Sequence, residues 1–528
     1  MTSLVLTTLA DVEPQVPPVA PGLRKVPPYW YPYSTYAKER WIGREILEVV
    51  STEFRDRSME YYRYALDSGV TTLNRKPAKP DTIIQDGDLM ENVVHRHEPP
   101  VTSTPVRVLF EDKEREFIVV NKPGSIPVHA SGRYYRNTLV EILMTEFGLE
   151  KVYTVNRLDR LTSGLMILPT STERARSLTK EFMDGTIKKE YVARCKGEFP
   201  KEEVVCEEPL LTIDRQMGLN VVHPEGKPAK TAFIRIRYDS KTDSSVVLCK
   251  PMTGRSHQIR VHLQYLGHPI ANDPVYSETK IWGAGLGRGG VDLTPSDERS
   301  APAPPPHLKD STELDGSPES LVKGGASSAL MSGTKLLPRE TGRDIGMGSP
   351  VPLSSEAVGI ITRLRNMKDE SEDWSRWRDV VFRAKEPLRP QHWALKPPPP
   401  RNKRKKGKSE SVDETLNVFR SGESPITPTT PDEAILATNA EPETKLPQFS
   451  LDEALERAQG LAPVVQIPLV EAGQHYCPEC YLPLHPDPKP EKLYIFLHAL
   501  RYTTSLGAFE TEMPEWSAPD WDWDRSSS

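Results

Sequence analysis

The chain has 528 residues, with 68 lysines and arginines against 74 aspartates and glutamates, and a net charge of −6. Its length points to about two to four domains, and its charge excludes a uniformly basic nucleic-acid coat while leaving room for a local basic cleft. The 51 prolines, about twice average usage, mark long stretches outside any core. The five cysteines, an odd number without a secretory signal, read as reduced intracellular thiols, and no apolar run reaches the roughly 18 residues of a membrane span.

Residues 1–28 are proline-rich and predict a disordered arm. With no arginine before Arg24, this arm makes a poor mitochondrial presequence. Five aromatic residues follow: Tyr29, Trp30, Tyr31, Tyr33 and Tyr36. Such rings can stack on unpaired bases, but packing against the next domain is the preferred reading. Between 41 and 99 the pattern predicts a compact unit. Ile42, Ile46, Leu47 and Val50 recur at helical spacing, as do Tyr61, Tyr62 and Leu66. Gly69–Asn74 and Asp86–Asp88 read as short strands and turns.

A larger unit begins with the strand-like runs Val106–Asp112 and Phe117–Pro123. Helices are predicted over Thr138–Phe147 and Ser171–Met183, the second capped by Ser171 or Thr172 with Glu173 in its first turn. Ser245–Cys249 reads as a strand. After a turn at Gly254, a helix is expected from about Ser256, with Ile259, Leu263 and Leu266 as its buried stripe. Past Gly283 the pattern collapses into Gly-, Pro- and Ser-rich sequence over 290–350 and 395–450, including the basic run Arg401–Lys408, which is either a nuclear signal or solvated charge. Such segments bury too little apolar surface to offset their ordering entropy. An island interrupts them, with Val358, Ile361, Leu364, Met367, Trp374, Trp377 and Val381 at helical spacing, and is expected to dock on the core or on a partner. Order returns over 465–516, where Leu493, Phe496, Leu497 and Leu500 predict a helix buried on one face.

The most informative stretch is Val155-Asn156-Arg157-Leu158-Asp159-Arg160-Leu161-Thr162-Ser163-Gly164-Leu165. Asp159 lies between two arginines, and a carboxylate among fixed cations stays ionised and oriented, as a nucleophile or general base requires. Spacing alone fits a surface ion pair equally well. Three further blocks follow in order: Lys188-Lys189-Glu190-Tyr191; Thr253-Gly254-Arg255-Ser256-His257-Gln258-Ile259-Arg260-Val261-His262; and Leu497-His498-Ala499. Together the four resemble the conserved blocks of the RluA-type pseudouridine synthases.

That resemblance implies an α/β (α+β) fold whose catalytic domain has a mixed, largely antiparallel sheet. It divides the chain into an arm (1–28), a small S4-like RNA-binding domain (29–100), the first part of the catalytic domain (101–285), a largely disordered insertion (286–464) with a helical island near 354–384, a C-terminal completion of the catalytic domain (465–518), and a tail (519–528). It implies isomerisation of uridine to pseudouridine in RNA, with tRNA position 32 in the anticodon loop as the expected target. Asp159 is the expected catalytic carboxylate, as nucleophile or as acceptor of a sugar proton. Tyr191 is expected to stack on the base, and Arg260 to pair with Asp159. Arg157, Arg160, Lys188, Lys189 and Arg255 are candidate RNA contacts, Arg255 alternatively supporting its loop or standing in for Arg260 in the active site, and His262 is expected to be structural. The reaction is redox-neutral and calls for no cofactor, nucleotide or metal. RNA is the expected partner, with no membrane, and the chain is expected to be a monomer in the cytoplasm, with nucleus and mitochondrion open. Where bacterial relatives carry histidine before Arg-Leu-Asp, this chain has Asn156, which hydrogen-bonds but does not titrate.

Cys477 and Cys480, near His475 and His485, form at most half of a structural zinc site, against reduced thiols at a turn. His223-Pro224-Glu225 with Cys477–Cys480 fits the two halves of a zinc deaminase only across a gap of about 250 residues, with Tyr476 in place of proline, and is rejected. The runner-up functions are an RNA-binding or scaffold protein of the same fold without catalysis, and a synthase acting on another tRNA or rRNA uridine.

Overall fold

The structure, a computed structural model, describes residues 22–54, 59–215, 217–298, 343, 345–346, 349–371, 487–519 and 521. Most of the expected arm lies outside these residues, but its end is ordered. Leu23–Arg24 (β1) pairs antiparallel with Val101–Thr102 (β6), which ties the end of the arm to the rest of the chain.

The N-terminal unit is a four-stranded sheet. Tyr29–Tyr36 (β2) lies beside Leu89–Arg96 (β5), then Thr71–Leu73 (β3) and Lys76–Pro77 (β4), in the order β2-β5-β3-β4. Helices Ile46–Glu53 (α1) and Met59–Asp67 (α2) accompany it, and Trp41, Ile46, Leu47, Val50, Tyr62, Leu66, Val70, Ile84 and Met90 fill its core. The first helix starts later than its apolar spacing suggests. Ile42 lies outside it and is exposed, because the chain turns at Gly43 (φ 81°), whose N–H bonds to Ile84 O. The aromatic strand packs forward, as expected: Tyr31 meets Tyr135 at 5.2 Å, and the Arg136 guanidinium lies 4.0 Å from the Tyr29 ring centre.

The larger unit is built on a nine-stranded sheet. Its strands are Arg107–Asp112 (β7), Phe117–Lys122 (β8), Ser163–Pro169 (β9), Lys188–Lys196 (β10), Val204–Cys206 (β11), Thr231–Asp239 (β14), Ser244–Pro251 (β15), Leu497–Thr504 (β16) and Gly507–Glu510 (β17). Leu210–Asp214 (β12) and Leu219–Val222 (β13) make a separate hairpin. The order is β11-β14-β15-β10-β16-β9-β8-β7, with β17 on β16. Only β9 and β16 run parallel, which matches the expected mixed, largely antiparallel sheet.

Leu139–Thr145 (α3) is capped by Thr138 and Thr172–Met183 (α4) by Ser171, each hydroxyl accepting from the backbone N–H three residues on. Gln258–Tyr265 (α5) carries the arginine motif, and Thr279–Trp282 (α6) follows. One apolar cluster (Phe117, Val119, Leu139, Met166, Leu178) and a second (Phe199, Phe233, Val247, Leu263, Phe496) surround the sheet.

One expectation is corrected. The C-terminal helix is strand β16, in the interior of the sheet between β10 and β9. Leu497, His498, Ala499 and Leu500 are all buried, so the apolar residues are consecutive and their i, i+3, i+4 coincidence says nothing of a helix. The edges of the insertion are also ordered. Asp292 N–H bonds Glu356, and Ser296 N–H bonds Leu353 O. Helix Ser355–Ser371 (α7) docks on the core as expected, placing Val358, Ile361 and Leu364 against Leu219, Val261, Tyr276 and Ile281. A buried Arg365–Asp214 ion pair at 2.7 Å fixes its angle. Trp374, Trp377, Val381, Arg401–Lys408, Cys477 and Cys480 lie outside the described residues.

Candidate active site

Asp159 sits in the loop entering β9, and that loop is held from three sides. Thr162 N–H closes a turn on Asp159 O at 3.1 Å, and Ile495 N–H reaches Leu161 O at 3.1 Å. The fully buried Lys122 donates to Pro123 O and Ile126 O, both at 2.9 Å, and to Arg160 O at 3.4 Å. Burial lowers the Lys122 ammonium to about 7, with Asp159 opposing and Arg160 adding to the shift. The Thr-Ser-Gly turn is tied to the C-terminal motif: Ser163 Oγ meets His498 Nδ1 at 2.8 Å, and His498 Nε2 meets Thr511 Oγ1 at 2.7 Å. Gly164 (φ 117°) pairs with Ala499 across the parallel β9–β16 contact, and a Cβ there would collide with the Ala499 backbone.

Arg260 projects from α5, which is buried along most of its length, including Arg260 itself. Its Nε and Nη2 grip Asp273 at 2.6 and 2.9 Å, leaving Nη1 to donate to Asp159 Oδ2 at 3.1 Å. Asp273 also accepts from the N–H groups of Val275 and Tyr276. This fork-to-fork geometry makes Arg260 rigid. Burial acts to lower its pKa, but the charge and hydrogen bonds of Asp273, with Asp159, raise it well above the usual arginine range.

His257 completes the surroundings of the carboxylate. It caps α5 in the left-handed region (φ 55°, ψ 18°), a conformation that costs a non-glycine residue about 1–2 kcal/mol. Its Nδ1 meets Tyr276 Oη at 2.8 Å and its Nε2 lies 3.6 Å from Asp159 Oδ2. Burial drives its pKa down to about 4, against the pull of Asp159, so the ring is neutral at pH 7. For Asp159 burial acts upward, and the contact with His257, the charges of Arg260 and Arg157 and the Arg260 hydrogen bond overcome it. The carboxyl is held below the usual aspartate value and stays ionised at neutral pH.

Tyr191 stands on β10 beside this carboxylate. Its hydroxyl meets that of Tyr502 at 2.6 Å, and burial, with Asp159 adding, pushes it up to about 12. The structure therefore brings Asp159 and Arg260 into contact and sets Tyr191 near enough to feel the Asp159 charge. Around them, Arg157 and Lys188 are exposed, and the Arg160 guanidinium lies 5.4 Å from the Tyr134 ring centre. Lys189 is half-buried with Nζ against Gly254, and burial lowers its pKa. Arg255 donates to Pro228 O at 3.0 Å, the loop-supporting alternative. His262 is buried between Thr231 Oγ1 and Glu208 O, as a structural histidine should be.

Sequence reasoning missed Asp273, His257, Tyr276, Lys122 and Tyr502. For Asp273 a signal existed: it is the lone acid in the otherwise uncharged apolar stretch Leu266–Tyr276, and such an acid is buried only with a partner. His257 stands inside the quoted arginine motif. Nothing in the local pattern marks Tyr276 or Tyr502.

Residues 116–265 match the family described as RNA pseudouridylate synthase. The chain is 49% identical over 285 residues to a Saccharomyces cerevisiae protein named tRNA pseudouridine(32) synthase, mitochondrial, covering 53% of this chain and 61% of that one. It is 47% identical over 270 residues to the Homo sapiens pseudouridylate synthase RPUSD2, covering 51% and 49%. A second Saccharomyces cerevisiae protein, named tRNA pseudouridine(31) synthase, is 37% identical over 295 residues, covering 48% and 72%. The chain thus spans about half to three fifths of the first two relatives' lengths.

Proposed function

The chain belongs to the RNA pseudouridylate synthase family, and we propose that it isomerises uridine to pseudouridine in tRNA, at position 32 of the anticodon loop. The observation that carries the reading is the Asp273–Arg260–Asp159 chain, whose buried Asp273 and Arg260 hold a partly exposed Asp159. It presents one ionised, oriented carboxylate in a loop ringed by cations, the requirement for attack at C1′ or removal of a sugar proton. In the reaction the N1–C1′ bond breaks, the base turns and C5–C1′ forms. The C5 proton then leaves while N1 holds a proton, so no electrons are gained or lost.

Asp159 acts at the sugar in this reading. Arg260 fixes its orientation, and Tyr191 stacks on the base and assists departure of the C5 proton. Reaching C1′ requires extruding the nucleotide, at a cost of a few kcal/mol that is smallest in a loop. Arg157, Arg160, Lys188 and Lys189 supply phosphate contacts that position the RNA without reading its sequence. The N-terminal unit, two helices followed by short strands, is read as an S4-like RNA-binding domain. The protein acts as a monomer in the cytoplasm, where Cys195, Cys206 and Cys249 stay reduced. The mitochondrial name of one relative makes organellar tRNA the second substrate reading.

The test is pseudouridine mapping after incubation of the purified chain with tRNA anticodon stem-loops and with rRNA fragments. Product at position 32 is expected. Product only at other uridines would move the target, and absence of product on every RNA would overturn the enzymatic reading.

A further inference from the structure

The hydroxyl of Tyr502 is the hydrogen-bonding neighbour of the Tyr191 hydroxyl, and it belongs to the segment that follows the insertion. Tyr502 is 0% exposed, and its ring lies 6.1 Å from that of Tyr191 with a 53° tilt, so the two do not stack. The short contact is between oxygens, at 2.6 Å.

The backbone is shaped to make this contact. Along β10 and β16 the ladder pairs Lys189 with Tyr502 and Glu190 with Arg501, then slips so that Tyr191 pairs with Ala499. Leu500 is the extra residue, and its carbonyl accepts instead from Thr511 N–H. A bulge of this kind bends a strand and re-aims the side chains beside it. Here it falls next to Tyr191. A buried phenol also needs a polar partner, and the Tyr191 hydroxyl supplies it.

We propose that Tyr502 is a positioning residue: its hydroxyl holds the Tyr191 hydroxyl and sets the direction in which Tyr191 faces the base. It touches neither sugar nor base and acts only through Tyr191. The inference rests on the reading above that Tyr191 assists loss of the C5 proton. A phenol that swings by a few tenths of an ångström serves that step poorly, because proton transfer needs heavy atoms within hydrogen-bond reach. RNA binding, spread over separate basic residues, is untouched.

The experiment compares the full-length chain with Tyr502→Phe, which keeps the ring and removes only the oxygen, on a stem-loop carrying uridine or 5-deuterouridine at the target. A fall in kcat of about tenfold or more is expected, with KM within about threefold, together with a larger deuterium isotope effect as C5 proton loss becomes more rate-limiting. A variant that merely folds poorly lowers the amount of active enzyme and leaves the isotope effect of the remainder unchanged. An unchanged isotope effect, or a loss confined to KM, overturns the role of Tyr502. If the wild-type chain makes no pseudouridine, the functional reading falls first and this inference falls with it.

Discussion

His257 and His498 show how burial sets the chemistry of single residues here. Each is pushed down to about 4, His498 by burial with Lys122 adding to the effect. A histidine neutral when folded but free to protonate near 6.5 when unfolded makes the unfolded chain bind more protons between those values. Stability is therefore complete above about pH 6.5 and is lost as pH falls toward 4. For the buried His498 the difference corresponds to roughly 3 kcal/mol. His498→Gln can keep a hydrogen bond to Ser163 or Thr511 without titrating, so its urea midpoint should fall less than the wild type's between pH 7 and pH 4.5. Parallel falls would contradict the assignment. Asp159, Tyr191 and Arg260 were legible in the sequence because each stands in a dense motif. Asp273 and Tyr502, which hold two of them, were not, because a supporting contact depends on approach in space rather than on spacing in the chain.

Strand β16 carries the same lesson for elements. Leu493, Phe496, Leu497 and Leu500 satisfy helical spacing, yet Leu493 ends a short 3-10 turn and Leu497 opens the strand, since an interior strand is apolar on both faces. By contrast α3 and α4 were readable to within two residues, because Thr138 and Ser171 cap them. The parallel β9–β16 contact depends on Gly164, where a Cβ would strike the Ala499 backbone rather than a movable side chain. Gly164→Ala should therefore cost on the order of 3 kcal/mol. Pseudouridine formation should fall with it, because the same contact holds the loop of Asp159. An unchanged urea midpoint would show that the two strands can separate without cost.

At the scale of the whole molecule, the site is closed by chain from both sides of the insertion. β9 and β10 come from before it, and β16 enters between them from after it. The composition shift after Gly283 made the split legible, and the returning Leu497-His498-Ala499 showed that the domain resumes. The docking of α7 was legible from its apolar stripe, whereas the ordered edges at 286–298 and 349–354 were not, because a few isolated contacts such as Ser296 to Leu353 leave no periodic trace. Since residues 395–450 are rich in proline, serine, threonine and charge without an apolar period, deleting that stretch should leave activity within a few-fold. The most direct measurement is the single-turnover rate of pseudouridine formation on an anticodon stem-loop by the full chain, by the 395–450 deletion and by Asp159→Ala. The first two rates should agree within a few-fold, and the alanine variant should be slower by about 10,000-fold or more. Pseudouridine formed by Asp159→Ala at a rate near the wild type's would contradict the account at its centre.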